Sequence, residues 1–224
     1  MISYFLFTLM IIFLFVISYA FLYCSIYTLM FFKFCASLCF VLIAYFNHKK
    51  HPSDNVFFNN IFMGLIFCLF GDIFITPSYN HYFLVLSIIC FFICHLFFIN
   101  GFRNKVPFKF KDILIFSIIY FPFLLFIYLN NDLYFKKYFF LIAIYSLVIA
   151  LMLSKSLSLI SLRKSNSFST YSIIVGTCLF FISDFILFFI IFYSSPSLIL
   201  RLLNLLTYYI GQGILALSFK KPYK

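Results

Sequence analysis

Between Ile2 and Phe46 the chain carries a single charged residue, Lys33. A helix that crosses a bilayer needs about 20 apolar residues, so this run is too long for one crossing and right for two. The same spacing recurs to the end of the chain, and it predicts an all-α, polytopic membrane protein of about eight transmembrane helices. The expected spans are 2–22, 28–46, 56–76, 82–101, 112–129, 138–157, 171–193 and 197–218, forming a single transmembrane domain over 1–224. Pro122 is expected to kink the fifth helix. With 66% hydrophobic and 9% charged residues, almost nothing remains for a soluble domain. The first apolar run lacks a basic leader and a small-residue cleavage site, so it reads as a retained helix and not a signal peptide.

The formal charge of +11 is not a nucleic-acid signal, because the basic residues sit in short clusters between apolar runs. Asn47–Asn55, Gly101–Lys111, Asn130–Lys137 and Ser158–Thr170 read as polar loops, whereas Pro77–His81 and Ser194–Pro196 read as short turns. An even number of spans puts both termini on one side. If that side is the cytoplasm, it holds 12 of the 16 basic residues, which predicts an N-in/C-in topology. Seven Cys offer no CxxC pair. Cys35/Cys39 and Cys90/Cys94 are each four apart and share a helix face, which reads as packing. His48, His51 and Asp54 lie in one loop, and solvation there explains them better than a metal site.

The five acidic residues are all Asp, and only Asp72 and Asp184 lie well inside apolar runs. A charged group at the bilayer centre costs roughly 2.5–3.5 kcal/mol on insertion scales, so such a residue is a functional candidate. At about 1.5 Å per residue, Asp72 lies roughly 24 Å and Asp184 roughly 20 Å from the cytoplasmic ends of their helices. Lys33, Tyr145, Arg201 and Asn204 fall near the same level, measured from the other face. One polar layer in the non-cytoplasmic half is therefore expected, with His95 and Gln212 deeper but lining the same cavity.

Two carboxyl groups brought together out of water divide into one protonated and one ionised member. That is the equipment of general acid–base hydrolysis, used by glycosidases against an oxocarbenium-like transition state. No nucleophile elbow, zinc-protease motif or phosphate loop competes with it. Structural ion pairs with Lys33 or Arg201, or an ion pathway, are the alternatives that the residues alone leave open.

Five segments carry a resemblance. Gly64–Asp72, GLIFCLFGD, resembles the "GLxFSLxGD" helix of the YhhN-like lysoplasmalogenase family, and Phe91–Ile99 its "FxxAHLxYI" segment. Ile144–Met152 resembles its "VYALVLALM" helix, Gly176–Asp184 its "GAxLFxxSD", and Thr207–Ser218 its "TYYxAQxLIxxS". Order, spacing and helix count fit over about residues 30–218. Cys68 stands where the family has Ser, Phe98 where it has Tyr, and Lys33-Phe34 where it has Lys-Pro.

The resemblance implies a membrane-embedded hydrolase that cleaves the vinyl ether of lysoplasmalogens without a cofactor or metal. The products are a fatty aldehyde and a glycerophospho-ethanolamine or -choline. Asp72 and Asp184 would form the acid–base pair, and Lys33 and Arg201 would attract the lipid phosphate. His95, Tyr145, Asn204, Tyr208 and Gln212 are further cavity candidates. The partners are then a lysophospholipid and the bilayer, in the endoplasmic reticulum of a eukaryote or the plasma membrane of a bacterium. Two other readings stand beside this one. The first is a lipid transporter or lipid-binding protein without turnover. The second is an intramembrane aspartyl protease, whose G-x-G-D motif is interrupted here by Leu69.

Overall fold

The computed structural model describes residues 2–52, 54–77, 80–130, 138–162, 167–192 and 197–219. These form eight long helices: α1 Ile2–Tyr23, α2 Ile26–Lys50, α3 Asn55–Ile75, α4 His81–Lys105, α5 Phe110–Leu129, α6 Phe139–Ser158, α7 Ser167–Phe192 and α8 Leu198–Leu217. A 3₁₀ turn, Leu159–Leu162, follows α6. All eight helices are long and apolar enough to cross a membrane. The chain thus has the architecture of a multi-pass membrane protein. Arg163, Lys164, Lys136, Lys137 and the tail lysines, which weigh in the topology argument, lie outside the described residues.

Three helices run further than the apolar runs suggested. α2 continues through His48, Lys49 and Lys50, and α4 through Arg103 and Lys105. α7 begins at Ser167, inside the segment expected as loop. Cations at a C-terminal turn complement the helix dipole, so basic residues that looked like loop extend the helices instead. Asn47 is not loop but buried core. It accepts from Ser3 Oγ at 2.6 Å and donates to the Ala216 carbonyl at 3.3 Å, tying α1 and α8 to α2.

Glycines set how closely the helices approach. A Cβ at Gly64 would lie 2.3 Å from the Phe98 ring, and one at Gly71 would lie 2.7 Å from the Phe91 ring. Two glycines seven apart on α3 thus receive two phenylalanines seven apart on antiparallel α4. In α7 and α8 the contact is backbone to backbone: a Cβ at Gly176 would lie 2.8 Å from the Gly211 carbonyl oxygen. Small residues allow such approach where lipid supplies no hydrophobic drive between helices.

One core joins α1–α4 with α6, α7 and α8. α5 stands apart. Only Asp112 and Ile127 of its residues are buried, and its C-terminal half is held by a small cluster of Ile127, Ile142, Phe188 and Phe192. Its other end is clamped by a third buried aspartate. Asp112 pairs with Lys155 of α6 at 2.8 Å, and both side chains are essentially inaccessible. Lys155 also donates to the Pro107 carbonyl at 2.9 Å and lies over the Phe108 ring. Ser154 Oγ donates to the Asp112 carbonyl. Asp112 was expected at the edge of a loop; the clamp is what makes its burial tolerable.

Candidate functional site

Asp72 and Asp184 each sit 17 residues into their helices, about 26 Å along the axis, and both line one cavity of about 290 Å³. Lys33, Arg201, Asn204 and Tyr208 line it too, so six of the nine candidate residues meet at this place. Among the described residues, no lysine or arginine comes within ion-pair distance of Asp72 or Asp184. The structural ion pairs with Lys33 or Arg201 are therefore not formed. Lys33 reaches the cavity from two turns inside α2 and lies 5.7 Å from the Phe21 ring centroid.

The two carboxyl groups have different surroundings. Asp72 is held by hydroxyls, with Ser37 Oγ donating at 2.5 Å and Tyr208 at 2.9 Å, both to Oδ2. Ser37 was not foreseen, although it lies four residues from Lys33 and so shares its helix face. Tyr209, also unforeseen, completes this wall. Its hydroxyl lies 3.4 Å from Ser37 Oγ and 3.4 Å from the Lys33 carbonyl. Asp184 is met instead by His95, whose Nε2 lies 3.1 Å from Oδ2. That contact is within ion-pair distance. His95 is fixed by Tyr145, whose hydroxyl is 3.3 Å from Nε2, and by Met152, whose sulfur is 3.2 Å from Nδ1.

Three candidates lie elsewhere than expected. His95 does not line the cavity; it is wholly buried behind Asp184. Gln212 does not line it either. Its amide points at Cys68 Sγ from 3.6 Å, one layer below Asp72. Tyr145 faces a second, apolar cavity on the opposite side of α7. The reason is angular: depth along a helix follows from residue count, but the face a residue presents depends on packing. Asn204 behaves as an inter-helix strut as well as a lining residue, donating to the Ser183 carbonyl at 2.8 Å and to its hydroxyl at 3.1 Å.

His48 lies in α2 and His51 caps its C-terminus, its N–H donating to the Asn47 carbonyl. The His48 ring stacks on Phe58 at 3.7 Å. Asp54 caps α3 through the Val56 and Phe57 N–H groups and pairs with Lys105 at 3.5 Å. Among the described residues no three His, Cys or Asp side chains are grouped as a metal site.

The arrangement can hold an anion near Lys33 and Arg201 while presenting two carboxyl groups to a bond above them. No curated protein and no solved structure gives a significant match to the chain. Residues 28–219, from the second helix through the eighth, match the YhhN family, and with both aspartates, His95 and Tyr208 inside that span the chain belongs to the YhhN family.

Proposed function

We propose that this protein is a membrane-embedded hydrolase of lysoplasmalogens. It would cleave their vinyl ether to a fatty aldehyde and a glycerophospho-ethanolamine or -choline. The observation that carries the reading is the placement of Asp72 and Asp184 on one polar cavity, unpaired with Lys33 and Arg201 of the same cavity. A purely structural buried carboxylate would be expected to be paired. Here the lysine and arginine are left available for the phosphate of a lysophospholipid.

The chemistry needs no group beyond these. One carboxylic acid gives its proton to the chain-side carbon of the double bond, and the ether oxygen shares its lone pair to form an oxocarbenium ion. The other carboxylate removes a proton from water as it adds to that cation. The resulting hemiacetal collapses as its hydroxyl proton returns to the first carboxylate and the second acid gives the proton it took from water to the departing glycerol oxygen, releasing the aldehyde and restoring both groups. Atoms and charge balance with one water consumed. Acid–base assistance of this kind contributes about 10²–10⁴-fold. His95 would orient Asp184, while Ser37 and Tyr208 would orient Asp72.

A transporter or lipid-binding reading predicts binding or flux with no product. Release of aldehyde from a purified lysoplasmalogen in proteoliposomes separates the two. The proposal expects release in the parent and its loss in Asp72→Asn and Asp184→Asn. Well-folded parent protein that binds the lipid but releases no aldehyde would overturn it.

A further inference from the structure

The second cavity, about 220 Å³, lies between α4, α5, α6 and α7. Its walls are almost entirely hydrocarbon, with Phe123, Ile142, Ile149, Ala150 and Phe188 among them. Its two serines are internally satisfied. Ser87 Oγ donates to the Leu84 carbonyl at 2.7 Å and Ser146 Oγ to the Ala143 carbonyl at 3.0 Å. The cavity adjoins the polar one. Ile75, Phe91, Asp184, Leu187 and Ile191 line both, so α7 and these side chains form a shared wall. Asp184 is the single carboxyl in that wall; Asp72 lines only the polar side.

We infer that the apolar cavity is the subsite for the hydrocarbon chain of a single-chain lipid, threaded past Asp184 from a head group held in the polar cavity. This rests on the hydrolase reading above and extends it to the specificity of the site. One polar arm and one apolar arm, meeting at a carboxyl, match one head group and one chain joined at a scissile bond. On α6 the lining runs from Leu141 to Ala150, about 14 Å along the axis, with Ala150 at its inner end. A chain that leaves the bilayer for this cavity exchanges one hydrocarbon surrounding for another. Little affinity follows from that exchange, so the cavity acts by register, fixing which bond lies beside Asp184. The outer wall is α5, exposed along most of its length, so a single helix separates this cavity from lipid.

The placement also divides the labour of the two acids. Protonation of a vinyl ether occurs on the chain-side carbon, which falls on the apolar side of the shared wall, next to Asp184. Water adds to the carbon bonded to oxygen, on the side where Asp72 and its hydroxyl donors lie. Asp184 is then the proton donor and Asp72 the group that takes the proton from water.

The test uses the full chain in lipid nanodiscs and a non-cleavable 1-O-alkyl lysophosphatidylethanolamine with a diazirine at the chain end. After irradiation, labelled peptides are mapped, and aldehyde release from a lysoplasmalogen is measured on the same preparation. The expected label falls on 141–150 and 181–192 and is displaced by unlabelled lysophospholipid. In Ala150→Phe it drops roughly ten-fold, the scale on which an overfilled site loses its occupant. Label confined to lipid-facing residues such as Phe15 or Phe140 overturns the subsite. So does pocket label that a diacyl lipid displaces as well as a lysolipid does. The map of the parent protein decides this even if the variant fails to fold. Pocket label without aldehyde release would keep the subsite and overturn hydrolysis, whereas aldehyde release without pocket label would do the reverse.

Discussion

Two buried acidic regions of this molecule differ in one respect that separates structure from function. Asp112 is matched on every side: an ion pair with Lys155, a backbone N–H from Lys109 at 3.0 Å, and a serine clasping its own carbonyl. Asp72 and Asp184 are buried to a similar degree yet, among the described residues, have no lysine or arginine partner at ion-pair distance, and both face open space. Burial alone therefore does not mark a functional carboxylate in this fold. What sets Asp72 and Asp184 apart is burial beside a cavity with no lysine or arginine at ion-pair distance among the described residues. The first region clamps a peripheral helix, whereas the second lines a cavity.

The largest expected effects break the comparison at its functional end. Asp184→Asn and Asp72→Asn should each lower kcat for aldehyde release by about 10²–10⁴-fold, with the proposed proton donor, Asp184, at the upper end. Their thermal unfolding should match the parent's. Asp112→Asn should behave oppositely. Removing one member of a buried pair destabilises by about 3–5 kcal/mol, read as a lower unfolding midpoint, while turnover per folded molecule stays near the parent's. Replacing both members, Asp112→Leu with Lys155→Met, should be milder than either single change, because no uncompensated charge is left buried.

Smaller effects sharpen the same contrast. Gly211→Val forces a side chain against the Gly176 carbonyl and should cost about 1–3 kcal/mol by overpacking. It should also raise KM, because α7 and α8 both line the polar cavity. The smallest is electrostatic and lies at the surface. Burial pushes the Asp54 carboxyl up, but the Phe57 and Val56 N–H groups and Lys105 outweigh it and hold it below its ordinary value. A lowered carboxyl stabilises the fold above the unfolded-state value and loses that contribution as pH falls through its own. Unfolding midpoints at neutral and acid pH, for the parent and Asp54→Asn, should converge in acid.

The eight crossings were legible because lipid demands length and apolarity and little else. Asp72 and Asp184 were legible because nothing else in their helices is charged. Asp112 was not, since Lys109 and Lys111 beside it give it the look of a loop residue and its partner Lys155 is 43 positions away. Ser37 was within reach, one turn from Lys33 on the same face of α2. His95 was singled out, but not its contact with Asp184, because the sequence carries no information about how far α4 is rotated toward α7. That angle is set by glycines receiving rings across α3 and α4, a tertiary fact written in no single segment.

The central claim is best tested by measuring aldehyde release from one lysoplasmalogen in proteoliposomes for the parent, Asp72→Asn, Asp184→Asn and Asp112→Asn, each normalised to folded protein. Activity is expected in the parent and in Asp112→Asn, and its loss in the other two. Loss in all three alike, or retention in Asp72→Asn and Asp184→Asn, would contradict it.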